Sequence, residues 1–479
     1  MKTVLLAAAL LSASVVSAQP QRRALELERC HLNQVTDWAE CGSFEVPEDY
    51  AVPDGRRITL RVAVLPSLTQ PAEPDPMFML AGGPGQSAVA IAAAVQQTLG
   101  VVNRHRDIVL IDQRGTGEST PLECALDFDG TAFDPEAQAE AVGDCLSGLD
   151  ADPTSYTTVN HFRDLDAVRR ALGYQRINLY AGSYGTRVAQ VYMRERPGAL
   201  QAVVMDAVAS MGMRVGLEMG ADAQLALDGL FERCQRNLAC EQRFPDLQRR
   251  FEALLADLRA SPRRLELADA ATGEPGIVEM DDRRFALGLR ALLYSPQTQR
   301  LVPLLIHQAA EGNWLGLVGL TSSFTQRLLE VMNPGLMLAV LCSEDLADIE
   351  AADIPAAERT SFVGTAQIDE FLGYCAAWPK PTRTVDWTPV SNDELPVLLL
   401  SGGLDPVTPP YRAEEVAATL GNSRHLIVPA GGHTVGGTGC ISRLIAEFID
   451  SRDPQGLDAS CIDDIAFPSF FVSTLGPAS

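Results

Sequence analysis

The run Ile177-Asn178-Leu179-Tyr180-Ala181-Gly182-Ser183-Tyr184-Gly185-Thr186 restricts the fold more than any other part of the chain. An apolar, strand-like stretch ends in a serine between small residues, and a helix-like stretch, Arg187 to Arg196, follows. Such a strand-to-helix turn has the form of a nucleophile elbow, which strains the serine backbone and exposes its hydroxyl. The next backbone N–H points into the same space and can stabilise an oxyanion. Gly185 supplies the small residue that the turn needs on one side. On the other flank Ala181 departs from Gly-x-Ser-x-Gly, and a methyl group can still fit there.

Other apolar runs share this rhythm. Met77 to Leu80 ends in Ala81-Gly82-Gly83-Pro84-Gly85, and Asp107 to Ile111 ends in Asp112-Gln113-Arg114-Gly115-Thr116-Gly117. Arg57 to Pro66 alternates apolar and polar residues as an antiparallel strand would. Asn160 to Leu172 carries Phe162, Leu165, Val168 and Leu172 at helical spacing. Buried strands alternating with helices predict an α/β fold with a mostly parallel sheet. The segment before about Pro47 reads as irregular. From about Met211 to Val385 amphipathic helices dominate, as in Ala221–Leu238 and Leu247–Arg259, and strand signals are sparse. The strand–helix rhythm returns at Pro396–Leu400, His425–Val428 and the helix Ile441–Asp450. The expected organisation is a core over 19–210, a mainly helical cap inserted over 211–385, and the rest of the core over 386–479.

Residues 1–18 read as an export signal: Lys2, an apolar centre from Val4 to Leu11, and Val16-Ser17-Ala18 as the cleavage site. That centre is too short to span a bilayer. The expected mature protein is soluble, periplasmic or secreted, monomeric and without a membrane anchor. Ten cysteines in an even set without Cys-x-x-Cys fit an oxidising compartment. The sequence leaves their pairing open, and pairing of neighbours along the chain is the expectation. The formal net charge of −24 argues against nucleic acid as a partner.

A serine nucleophile needs a base, and the base needs a carboxylate to orient it. Of six histidines, His433 stands in Ala430-Gly431-Gly432-His433-Thr434, directly after an apolar strand. Asp405, in Leu400-Ser401-Gly402-Gly403-Leu404-Asp405-Pro406, follows another, and Asp206 is the rival carboxylate. The chain order Ser183, Asp405, His433 is that of α/β-hydrolases. The Tyr184 N–H and one from Gly82 or Gly83 are the candidate oxyanion donors. No metal or cofactor is implied, because no metal-ligand cluster such as His-Glu-x-x-His occurs.

Gly82-Gly83-Pro84-Gly85, Asp112-Gln113-Arg114-Gly115-Thr116-Gly117-Glu118-Ser119 and Gly182-Ser183-Tyr184-Gly185-Thr186-Arg187 resemble the proline iminopeptidase and tripeptidyl aminopeptidase group of α/β-hydrolases. The Asp405 and His433 segments resemble the secreted tripeptidyl aminopeptidase branch. The resemblance implies a serine peptidase that acts on peptides with free N-termini through an acyl-enzyme. It implies Ser183 as nucleophile, His433 as general base and acid, Asp405 as its orienter, and Gly82-Gly83 as the oxyanion loop. Acidic cap residues hold the substrate amine in proline-selective members. Glu344 and Asp345 are the candidates for that role here, with Glu218 and Asp222 next. The rival readings are an esterase or lipase with the same triad and a non-catalytic binding protein on the same fold.

Overall fold

The computed structural model describes residues 24–126, 134–268, 273–380 and 385–477. The export signal expected at 1–18 lies outside the described residues. The first eleven strands in chain order are β1 (Glu28–Cys30), β2 (Ala39–Pro47), β3 (Arg57–Leu65), β4 (Met77–Leu80), β5 (Ile108–Ile111), β6 (Ile177–Gly182), β7 (Leu200–Asp206), β8 (Arg263–Ala268), β9 (Pro275–Met280), β10 (Val397–Gly402) and β11 (Ser423–Val428). Nine of them form one sheet in the order β1-β2-β3-β5-β4-β6-β7-β10-β11. From β5 onward every pairing is parallel, while β1, β2 and β3 are antiparallel additions at one edge.

β4, β5, β6 and β10 are buried at every position. Apolar runs without alternation require cover on both faces. The two covers are separate hydrophobic clusters: one packs the helix Gly185–Glu195 against the sheet, the other the helices Ala92–Leu99 and Ile441–Ser451. β1 and β2 correct the expectation of an irregular N-terminal segment. β2 reads Ala-Glu-Cys-Gly-Ser-Phe-Glu-Val-Pro, with little strand propensity, yet pairs with β3 from Glu40↔Val64 to Pro47↔Arg57. A ready strand edge outweighs local preference.

Between β7 and β10 the chain is mainly helical, and the hairpin β8–β9 interrupts it. Residues from Ala223 to Leu317 form a third hydrophobic cluster, which Phe470 of the C-terminal tail joins. Leu336 to Leu341 and Ile368 to Cys375 instead pack into the cluster on the sheet. Among the described residues, no helix is long and apolar enough to cross a membrane. The disulfides Cys30–Cys41, Cys124–Cys145, Cys234–Cys240, Cys342–Cys375 and Cys440–Cys461 join neighbours along the chain, as expected.

The strand order places the site. β4 lies between β5 and β6, so the chain runs from β4 to β5 on one side and then crosses back over β4 to β6 on the other. A crevice opens at such a switch point, beyond the carboxyl ends of the strands. Pairing of Leu80 with Ala181 brings the loop after β4 beside the turn after β6.

Candidate active site

Ser183 sits on the turn between β6 and the helix Gly185–Glu195 with φ 53°, in the left-handed region that non-glycine residues rarely occupy. Its N–H donates to Asp206 O at 2.9 Å, which ties the turn to the end of β7. A Cβ at Gly185 would lie 2.4 Å from Leu80 O, so only glycine lets the turn press against β4. Ala181, the departure from the motif, is fully buried in the core and its methyl group is accommodated.

His433 follows β11 on a loop held from two directions. Asp206 accepts from Val435 N–H at 2.9 Å and from Gly436 N–H at 2.7 Å. Tyr294 O, in the helical region between β7 and β10, accepts from His433 N–H at 2.8 Å. The Tyr294 ring meets the imidazole edge-on, with centroids 5.3 Å apart. The result is a relay: His433 Nε2 lies 3.0 Å from Ser183 Oγ, and His433 Nδ1 lies 3.0 and 2.9 Å from the two oxygens of Asp405.

Asp405 is buried beyond the end of β10 and accepts from Val407 N–H (2.8 Å), Thr408 N–H (2.9 Å) and Thr408 Oγ1 (2.9 Å). Burial alone would raise its pKa. The His433 charge and these donors outweigh burial and hold the carboxyl below its ordinary value. Asp206, the rival carboxylate, is also buried but is occupied by Tyr180 Oη at 2.6 Å and the two loop N–H groups. Burial raises its pKa, and these bonds only partly offset that. It braces the histidine loop and does not bond the imidazole.

The loop after β4 passes close to the serine. A Cβ at Gly82 would stand 3.0 Å from Ser183 Cβ. Gly82 N–H donates to Gln86 Oε1 at 3.2 Å. Asp112 anchors this loop by accepting from Ser87 Oγ (2.6 Å) and Val89 N–H (2.9 Å), and Arg114 forks onto Asp164 with two bonds of 2.7 Å. The Asp112–Ser119 motif is therefore a brace for the site.

A cavity of about 780 Å³ opens on Ser183, His433, Gly82, Gly83 and Tyr184. Its walls are largely apolar, and much of them comes from the helices between β7 and β10. The sequence-predicted amine-binding carboxylates are not in this lining. Glu344 is buried and accepts from Thr158 N–H at 2.6 Å and Thr158 Oγ1 at 2.5 Å, and Thr158 Oγ1 also bonds Tyr184 Oη at 2.7 Å. Asp345 pairs with Arg187 at 2.7 Å, both fully buried. Glu218 pairs with Arg412 at 2.9 Å, and Asp222 bonds Tyr411 Oη and Arg412. Glu344, Asp345 and Asp222 are buried against these partners, and Glu218 stays partly exposed beside Arg412.

The lining contains Glu370 and the cations Arg284 and Arg290, none of which the sequence reading selected. The signal was helical spacing: Gln367, Glu370 and Phe371 share one helix face, as do Arg284, Leu287, Gly288 and Ala291. Nothing in that spacing distinguishes a face on a cavity from one on the core. Among the described residues, no group of three His, Cys, Asp or Glu could hold a metal ion.

Comparison with known families agrees with this fold. A model described as alpha/beta hydrolase fold matches residues 75–262, and one described as TAP-like protein matches 360–461. The fold is that of an α/β-hydrolase. The chain is 27% identical to serine protease Hip1 of Mycobacterium tuberculosis over 88% of this chain and 87% of that protein. It is 28% identical to the tripeptidyl aminopeptidase of Streptomyces lividans over 45% of this chain and 44% of that protein. It is 27% identical to carboxylesterase B of M. tuberculosis over 80% and 78%. The two models and these relatives bear out the resemblance to the tripeptidyl aminopeptidase and proline iminopeptidase group of α/β-hydrolases.

Proposed function

We propose that this α/β-hydrolase is an exported serine aminopeptidase that releases short N-terminal fragments from peptides. The carrying observation is the relay in which His433 lies 3.0 Å from Ser183 Oγ and 2.9 Å from Asp405. In this reading His433 takes the hydroxyl proton as Ser183 Oγ attacks the peptide carbonyl. The C–N bond then breaks, and His433 returns the proton to the departing amine. Water, deprotonated by the same imidazole, hydrolyses the acyl-enzyme and restores Ser183. Asp405, held ionised, keeps Nδ1–H oriented and stabilises the imidazolium.

Tyr184 N–H and Gly83 N–H serve as the oxyanion donors, since Gly82 N–H is directed at Gln86. The helical region over about 211–385 acts as a cap. Glu370, the carboxylate in the cavity lining, holds the substrate amine in place of Glu344, Asp345 or Glu218. The serine protease and tripeptidyl aminopeptidase relatives support a peptidase. The five disulfides and the leader sequence over 1–18 support export.

The carboxylesterase relative favours a second reading, an esterase with the same triad. Two measurements separate the readings. A fluorophosphonate should label Ser183 in the folded protein, and absence of label rejects both. A peptidyl amide, its N-acetyl analogue and a simple ester are then compared. Loss of cleavage on acetylation supports the aminopeptidase, whereas turnover of the ester alone supports the esterase.

A further inference from the structure

The cavity wall contains a buried cation that the relay does not use. Arg290 lies in the last turn of the helix Asp282–Leu292, lines the cavity, and is only 5% exposed. Its Nε and Nη2 are buried without a hydrogen-bond partner among the described residues. The Glu358 carboxyl feels the Arg290 charge, but its own oxygens accept from Gly220 N–H (2.9 Å) and Ala221 N–H (2.8 Å). A guanidinium stays protonated throughout the working pH range. Burying one without a bonded anion is strongly unfavourable. Such a group is poised for an anion that enters the cavity.

Two further observations point the same way. The guanidinium carbon lies 5.6 Å from the Tyr294 ring centre, and that ring lies 5.3 Å from the His433 imidazole. The cation is therefore one aromatic ring away from the bond-breaking centre. The charged lining, apart from His433, is Arg284, Arg290 and Glu370, a net positive set in a chain whose formal charge is −24. A positive interior in an acidic protein draws an anionic group to that place.

We propose that Arg290 is the binding site for a substrate carboxylate within the Ser183 cavity. Its planar fork suits a carboxylate, and Tyr294 gives it a stacking platform from which its terminal torsion can turn toward the ligand. The carboxylate is either an acidic side chain of the peptide or its free C-terminus. The inference rests on the reading that this cavity holds the substrate.

Fluorophosphonate labelling comes first, because an unlabelled Ser183 defeats the hydrolase reading itself. Untreated enzyme from a preparation that takes the label is then assayed with two matched peptide pairs: Glu against Gln at one position, and a free against an amidated C-terminus. The wild type should prefer the carboxylate member of one pair by about tenfold or more in kcat/KM. The pair that responds names the source of the carboxylate. In Arg290→Met that preference should fall to within about twofold, and Arg290→Lys, which keeps the charge and guards against misfolding, should retain part of it. No preference in either pair, or a preference unchanged in Arg290→Met, would overturn the proposal. Equal loss on both members of a pair would also overturn it and leave Arg290 as mere support for Tyr294.

Discussion

At Ser183 two buried aspartates compete for one role, and their hydrogen bonds separate them. Asp405 spends both oxygens on His433 Nδ1 and on the Val407–Thr408 turn, whereas Asp206 spends its own on Tyr180 and the loop after His433. Asp405→Asn should lower kcat by about 10³- to 10⁴-fold, because the amide favours the wrong imidazole tautomer. Asp206→Asn should let the histidine loop drift and lower kcat by roughly 10- to 100-fold. Steady-state kinetics of both variants checks the ranking, and an Asp206 effect as large as that of Asp405 would reverse the assignment. Glu370→Gln should raise KM for free-amine peptides about tenfold or more and leave N-blocked substrates little changed, if its charge holds the amine. Kinetics on a matched free and acetylated pair reads this directly. The relay residues were legible in sequence because each stands just after an apolar strand, where parallel sheets gather their carboxyl ends. Glu344 misled because an acidic residue in an apolar helix looks the same whether it meets a substrate or a buried Thr158.

Elements, more than single residues, decide how closely the site can assemble. β4 and β6 are neighbours in register, so the Gly82–Gly83 loop and the serine turn start from the same level of the sheet. That pairing is not written locally in either strand. The hairpin β8–β9 was equally hidden: its strands are short and mostly exposed, and only Met280 among their residues is buried. The turn Leu341–Asp345 is a short π-helical segment that points Glu344 at Thr158 and, through it, at Tyr184. Burial pushes the Glu344 carboxyl from its ordinary 4.5 up to about 7. The folded pKa exceeds the unfolded one, so the associated stability is fully present below pH 4.5 and lost as pH rises through about 7. The loss amounts to about 3 kcal/mol at 1.36 kcal/mol per unit. Glu344→Gln imitates the protonated acid, with its oxygen accepting from Thr158 N–H and its amide donating to Thr158 Oγ1. Denaturant unfolding at pH 5 and pH 8 should show a smaller fall in the variant than in the wild type, with the remainder due to Glu358 and Asp222, which burial also raises to about 7 and about 6. An identical fall in both would assign it to other groups.

Taken as one molecule, the chain places its site between a sheet whose rhythm is plain in sequence and a helical region whose placement is not. The helices that wall the cavity contribute to two different cores, and only long-range packing settles which. The disulfides bear on that division unequally. Cys234–Cys240 closes a separation of 6 residues within the helical region and restrains little. Cys342–Cys375 spans 33 residues and joins the Glu344 turn to the helix that carries Glu370. Chain-entropy reasoning gives about 2 kcal/mol for the short loop and about 4 kcal/mol for the longer one. The longer bridge also fixes one cavity wall to the segment behind Tyr184. Replacing both Cys342 and Cys375 by Ala should therefore lower the unfolding free energy and, at a temperature where the variant is fully folded, raise KM more than it lowers kcat. Replacing Cys234 and Cys240 should cost less stability and leave KM close to wild type, since that bridge touches neither the relay nor the cavity lining. Calorimetry and peptide kinetics on the two double variants measure both effects. Equal changes in KM would mean that the cavity wall is held by packing alone, with the Cys342–Cys375 bridge adding only to stability.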